Sequence, residues 1–215
     1  MKGFKQFIIE EQLLVEGGNS KAINRKTQEV IARPQRIDMS KVSRTDLRKK
    51  LLDLFKDLNI QFGKKYEEPL WPSMTALTSG HAFTGSTEHL FDPKISDADF
   101  KKYKKVVGDV DLTIPKKHLK KLFDLLASLE KKKLGGDHFI YLGQNRPELF
   151  GFAINTIFQL QEPKINIQID FEGTTYEGDA PDAFGKFSHN STWKDVQQGL
   201  KGMGHKILLQ NVARV

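Results

Sequence analysis

Apolar positions along the chain follow helical periods first and strand periods later. Phe4, Phe7, Ile8, Ile9, Leu13, Leu14 and Val15 approach one helical stripe, which Gly17-Gly18 stops. Residues 17–42 hold few large apolar groups and include Pro34, so they are expected to form a linker or an arm on the surface. Ser43 is a good N-cap, with Asp46 at the third helical position. From there Leu47, Leu51, Leu54, Phe55 and Leu58 recur every three or four residues and predict an amphipathic helix fading near Asn59–Gly63. The lysines beside that stripe, from Lys49 to Lys65, form its solvated face.

Residues 66–82 carry Pro69, Trp71 and Pro72 and lead irregularly into a strand near Ala82–Thr84. A small-residue turn at Gly85-Ser86 follows, then a short helix over Thr87–Phe91. Residues 92–105 are highly charged and look like an insertion, with Ser96 capping a solvated helix over Asp97–Lys104. Val106–Ile114 alternates as a strand. Pro115 suits the first turn of the next helix, whose buried face is Leu119, Leu122, Phe123, Leu126 and Leu129 and whose end is Gly135-Gly136. Strands are predicted at His138–Leu142, Phe150–Leu160 and Lys164–Phe171, the last two as an antiparallel hairpin across Gln161-Glu162-Pro163. A Gly-, Asp- and Pro-rich loop covers 172–190, and a helix is predicted from Ser191 onward despite Gly199, Gly202 and Gly204, each costing about 1 kcal/mol in a helix. The elements sum to an α+β fold. An N-terminal helix and arm (1–42) precede a main domain (43–215) that carries the insertion at 92–105 and a C-terminal helix over 191–213.

Composition narrows the class. A chain of 215 residues is long enough for a real core. No window approaches the ~18 apolar residues of a membrane span, and no secretory h-region is present. With no cysteine, disulfides, thiolate metal sites and thiol catalysis are excluded. These features point to a cytoplasmic or virion protein without a membrane partner. A formal charge of +7 favours a polyanionic partner such as a nucleic acid or a nucleotide.

The candidate chemistry lies in Val-Val-Gly-Asp109-Val-Asp111-Leu-Thr-Ile. On a strand, side chains two apart share a face, so Asp109 and Asp111 point the same way. Two carboxylates side by side repel each other, and a divalent cation between them relieves this; hard oxygen ligands suit Mg²⁺. On the later strand Ile165, Ile167 and Ile169 share one face, and Asn166, Gln168 and Asp170 the other, as in a strand lining a cleft or in an exposed sheet face. Lys201 and His205 share one face of the C-terminal helix, with Lys206 beside them. No histidine spacing suggests zinc.

Gly85-Ser86, Asp109-Val-Asp111 and Asp170 together resemble the DNA polymerase β-like nucleotidyltransferase superfamily, whose pattern is a Gly-Ser turn entering a helix, an hDhDh strand and a third acid on an adjacent strand. The likeness covers roughly residues 80–175. It departs from the pattern in the 22 residues 87–108, a longer spacer than usual, which the insertion accounts for if it loops out. The resemblance implies a mixed or antiparallel sheet flanked by helices and a metal-dependent transfer of an NMP from an NTP to an acceptor hydroxyl of RNA (a tRNA end), protein or a small molecule. Asp109, Asp111 and Asp170 would bind two Mg²⁺ or Mn²⁺ ions, with Asp170 nearest the acceptor. Gly85 and Ser86 would hold the β,γ-phosphates, and Lys201, His205 and Lys206 would meet phosphate charge. A further resemblance joins the opening MKGFKQFIIEE…LLVEGG to proteins of tailed phages of the T4 type, with Leu14-Val15-Glu16 similar to their prohead-protease cleavage pattern. It implies a host-cytoplasmic or virion location. Two other readings compete: an inactive nucleic-acid-binding or virion protein on the same fold, and a structural Ca²⁺ site, for which the apolar strand around the acids is unsuited.

Overall fold

The computed structural model describes residues 20–24, 27–71, 74–78, 83, 86–103, 105–145 and 153–174. The predicted helices at 1–16 and 191–213, the 175–190 part of the predicted loop, and Gly85, Lys201, His205 and Lys206 lie outside the described residues. In chain order the elements are β1 (Ala22–Ile23), β2 (Val30–Ala32), β3 (Ile37–Asp38), α1 (Arg44–Tyr66), α2 (Thr75–Thr78), α3 (Ser86–Phe91), α4 (Asp97–Tyr103), β4 (Val106–Val107), β5 (Asp109–Pro115), a 3-10 turn (Lys116–His118), α5 (Leu119–Ser128), β6 (Lys133–Leu134), β7 (Phe139–Gln144), β8 (Ala153–Leu160) and β9 (Ile165–Thr174). The fold is mixed α+β. A five-stranded sheet of order β5-β9-β8-β7-β6 is antiparallel throughout except for its β5–β9 pair, which is parallel.

Alternation explains the layers. Val110, Leu112 and Ile114 of β5, Ile167, Ile169 and Phe171 of β9, and Ile154, Phe158 and Leu160 of β8 are all buried. They meet the apolar stripe of α1 (Leu47, Leu51, Leu54, Phe55, Leu58, Phe62) and of α5 (Leu119, Leu122, Leu125, Leu126) in one core. Ser43 caps α1 as predicted, its hydroxyl accepting from the Asp46 N–H at 3.3 Å. The helix does not fade at Asn59–Gly63 but runs to Tyr66, because Phe62 and Tyr66 find tertiary partners: the Phe62 ring packs on His118, and the Tyr66 hydroxyl donates to the Lys121 carbonyl at 2.8 Å.

Four further expectations change. The 17–42 arm contributes short strands: β1 pairs with β2, β3 pairs with β4, and Ala22, Ile37, Met39 and Val42 are buried. The predicted strand at 106–114 is divided at Gly108, with β4 pairing away to β3 while β5 joins the main sheet. Gly135-Gly136 do not end α5, which stops at Ser128; they form the turn between β6 and β7, with φ of 60° and 66°. Such left-handed backbone favours glycine wherever it occurs, so a glycine pair does not say which element it closes. The 92–105 insertion is tied down more firmly than a solvated helix: Phe100 is buried, and the 4 %-exposed Arg44 guanidinium donates to the carbonyls of His89, Asp92 and Ile95. Ser96 caps α4 as predicted, accepting from the Asp99 N–H at 3.1 Å.

The β6–β7 turn locks the sheet to α1. Gly135 N–H donates to Asp57 at 2.9 Å, and a Cβ on Gly135 would lie 2.8 Å from the Leu54 backbone. Gly135→Ala combines a left-handed non-glycine residue with a backbone clash, and should cost about 2–4 kcal/mol in denaturant unfolding. Gly136→Ala, with only the His138 ring 3.8 Å away, should cost about half as much or less.

Candidate metal centre

The site is built by register. In the parallel β5–β9 pair Asp109 lies opposite Gln168 and Asp111 opposite Asp170, so these four side chains tile one face of the sheet. The adjoining β8 places Asn155 opposite Asp170 on the same face. Asp109 is half-buried, while Asp111 and Asp170 are only 8 % and 7 % exposed. One carboxylate oxygen from each of Asp109, Asp111 and Asp170 lies within 4.8 Å of the other two. Oxygens held by one Mg²⁺ at about 2.1 Å are at most about 4.2 Å apart, so a small inward movement would bring all three onto one ion.

Electrostatics sharpen the picture. Burial pushes the Asp170 carboxyl up to about 7, and the nearby charges of Asp109 and Glu172 push it the same way. The neighbouring amides of Asn155 and Gln168 only partly oppose this; the Gln168 amide donates to Asp170 Oδ2 at 2.8 Å. The other oxygen, Asp170 Oδ1, is buried without a hydrogen-bond partner among the described residues. A buried, orphaned acceptor is costly unless something fills its place. Three hard anionic donors and an unpartnered buried oxygen fit a divalent cation such as Mg²⁺ or Mn²⁺.

Thr87 fastens a helix next to the acids. Its buried hydroxyl donates to the Asp109 carbonyl at 3.3 Å and accepts from the Asp111 N–H at 3.2 Å. That fixes the first turn of α3, which begins at Ser86, along the outer edge of β5. Phe83 bridges to Leu112, its ring stacks on Phe91, and both rings pack on Phe55. Trp71 adds a hydrogen bond of 2.9 Å from its indole N–H to the Thr113 carbonyl. The backbone of β5 is therefore held from α1, α3 and the loop after α1.

Of the residues singled out from sequence, the structure brings Asp109, Asp111 and Asp170 together and sets Ser86 at the start of the helix anchored beside them. Gly85, Lys201, His205 and Lys206 are outside the described residues. Sequence reasoning missed Thr87, Asn155 and Glu172, and it noted Gln168 only as part of a polar face. The alternation of β9 was the available signal for Gln168 and Glu172; nothing local marks Thr87. Among the described residues no helix is long and apolar enough to cross a membrane. Comparisons with known proteins match no family model, no curated protein and no solved structure. Fold and site together define an α+β protein whose mixed sheet carries a buried carboxylate triad able to hold a metal ion.

The sign of the Asp170 effect is testable. An unfolded aspartate titrates near 3.8, so between about pH 4 and 7 the folded protein binds more protons than the unfolded one. Stability of the metal-free protein should fall as pH rises through that window. Asp170→Asn should remove the decline and leave the variant more stable than the parent at pH 8, by on the order of a few kcal/mol, in thermal melts with chelator. Mn²⁺ affinity of the parent should rise through pH 7, as Asp170 loses its proton.

Proposed function

We propose that the protein is a metal-dependent nucleotidyltransferase, moving an NMP from an NTP to an acceptor hydroxyl. The observation that carries this reading is the convergence of Asp109, Asp111 and Asp170 on one sheet face, with a buried Asp170 oxygen left for a cation. The specific core is that of the polymerase β-like superfamily, which the Gly85-Ser86, Asp109-x-Asp111 and Asp170 pattern resembles. Asp109, Asp111 and Asp170 would hold two Mg²⁺ or Mn²⁺ ions. Bound there, the ions supply charge neutralisation for the triphosphate and pyrophosphate and acidify the acceptor hydroxyl.

The chain's own residues do the rest. Asp109 and Asp111 contribute the fixed negative charge that balances the dications. Asp170, nearest the acceptor by the resemblance, would take the proton of the acceptor hydroxyl. The acceptor oxygen bonds to the α-phosphorus, the bond from that phosphorus to the bridging oxygen breaks, and pyrophosphate leaves. Gly85 permits close backbone approach, and the Ser86 N–H at the start of α3 meets the β,γ-phosphates. Thr87, bonded to the backbone on both sides of Val110, keeps the start of α3 at a fixed distance from the acids. Lys201, His205 and Lys206 are assigned to phosphate through the resemblance alone. The charge of +7 favours RNA as acceptor over a protein or a small molecule.

The test is incubation with each of the four α-³²P-labelled NTPs, Mg²⁺ or Mn²⁺, and total RNA or host lysate. Label is expected in RNA, and Asp109→Ala or Asp111→Ala should reduce it by at least 10³-fold while the thermal transition persists. Label in protein would redirect the acceptor. Label in neither, or transfer retained by the Asp109→Ala/Asp111→Ala double variant, would overturn the mechanism and favour a nucleic-acid-binding or virion-associated role.

A further inference from the structure

Gln168 occupies the fourth corner of the acidic tile, opposite Asp109 and two residues before Asp170 on β9. It is 3 % exposed, so both ends of its amide must find partners within the protein. The amide oxygen accepts from the Ser20 backbone N–H at 3.3 Å, and the amide nitrogen donates to Asp170 Oδ2 at 2.8 Å. A flipped amide would aim its oxygen at the carboxylate and its NH₂ at the Ser20 N–H, two repulsive contacts in place of two bonds. The Ser20 N–H can only donate, so it decides the direction of the amide. With Oδ2 occupied, Oδ1 is the Asp170 oxygen left unpartnered.

The segment that delivers Ser20 is itself stitched to the same sheet. Gln35 N–H donates to the Asn166 carbonyl at 2.8 Å, the Asn166 N–H donates to Gln35 Oε1 at 3.0 Å, and the Asn166 side chain donates to the Arg33 carbonyl at 3.2 Å. Between these ties, Ala22 of β1 and Ile31 of β2 lie against Gly143 of β7, where a Cβ would come within 3.2 and 3.5 Å of them. The described residues between Ser20 and Gln35 therefore form a strap anchored on β7 and β9.

We propose that Gln168 is a positioning residue for the cation: oriented by the strap through Ser20, it holds Asp170 Oδ2 and so presents Oδ1 to the metal. The inference rests on the triad being a metal centre, and it makes the N-terminal strap a determinant of cation affinity although the strap contributes none of the three ligands.

The test is Mn²⁺ titration of the full-length, nucleotide-free protein followed by electron paramagnetic resonance at pH 8.5. Gln168→Met keeps much of the volume and removes both amide bonds; it should weaken Mn²⁺ binding by about tenfold, the scale on which outer partners of metal ligands act. Ser20→Pro removes the orienting N–H and should weaken binding in the same direction by a few-fold. Ser20→Ala keeps that N–H and should bind as the parent does. Parental Mn²⁺ affinity in folded Gln168→Met overturns the proposal, and if that variant does not fold, parental affinity in Ser20→Pro overturns it equally. The two readings fail differently. If Asp109→Ala and Asp111→Ala also bind Mn²⁺ like the parent, the triad reading fails and this inference falls with it. If those variants lose Mn²⁺ while Gln168→Met and Ser20→Pro do not, only the role of Gln168 and the strap is lost.

Discussion

The parallel pairing of β5 with β9 is the constraint on which the rest of the molecule depends. It puts Asp111 directly opposite Asp170, with Asp109 one step along the same face. Like charges at this separation, two of them almost wholly buried, oppose folding unless a cation or a proton intervenes. The raised proton affinity of Asp170 is the metal-free protein's partial answer, because one shared proton removes a charge from the cluster. A divalent ion removes more, and the orphaned Oδ1 marks where it would bind. The same unfavourable electrostatics that weaken the empty protein thereby become affinity for a cation.

Holding that register requires support from outside the strand pair, since among the described residues β5 pairs within the main sheet only with β9. The outer side of β5 is closed by Thr87, the Phe83–Leu112 bridge and the Trp71 indole. Arg44 then pins the chain just after α3 by collecting three carbonyls, so α3 is fixed at its start by Thr87 and at its end by a buried guanidinium. The strap works from the other side, through Gln168 and Asn166 of β9. Both strands that carry the triad are thus clamped by segments distant in sequence, which is how a flexible carboxylate cluster gains a defined geometry.

What could be read in the sequence was what is local. The 3.6-residue stripe of α1, the Ser43 and Ser96 caps, and the two-residue alternation of β9 each follow from neighbours in the chain, and the structure reproduces them. The shared face of Asp109 and Asp111 was equally visible. That Asp170 joins them required a resemblance, because parallel pairing between strands some 55–60 residues apart has no local signature. The same limit explains the arm at 17–42. Ile37, Met39 and Val42 are too sparse to make a periodic signal, yet they are buried because β4 turns away at Gly108 to pair with β3. Phe100 in a charged stretch suggested a solvated helix; the decisive contact is Arg44, more than fifty residues earlier.

The most direct test of the account is anomalous diffraction from crystals of the parent protein soaked with Mn²⁺. The account predicts an anomalous peak about 2.1 Å from oxygens of Asp109, Asp111 and Asp170, with Oδ1 as the Asp170 ligand and Gln168 still bonded to Oδ2. Mn²⁺ peaks elsewhere on the protein, with the three carboxylates unmoved and no peak between them, would contradict it.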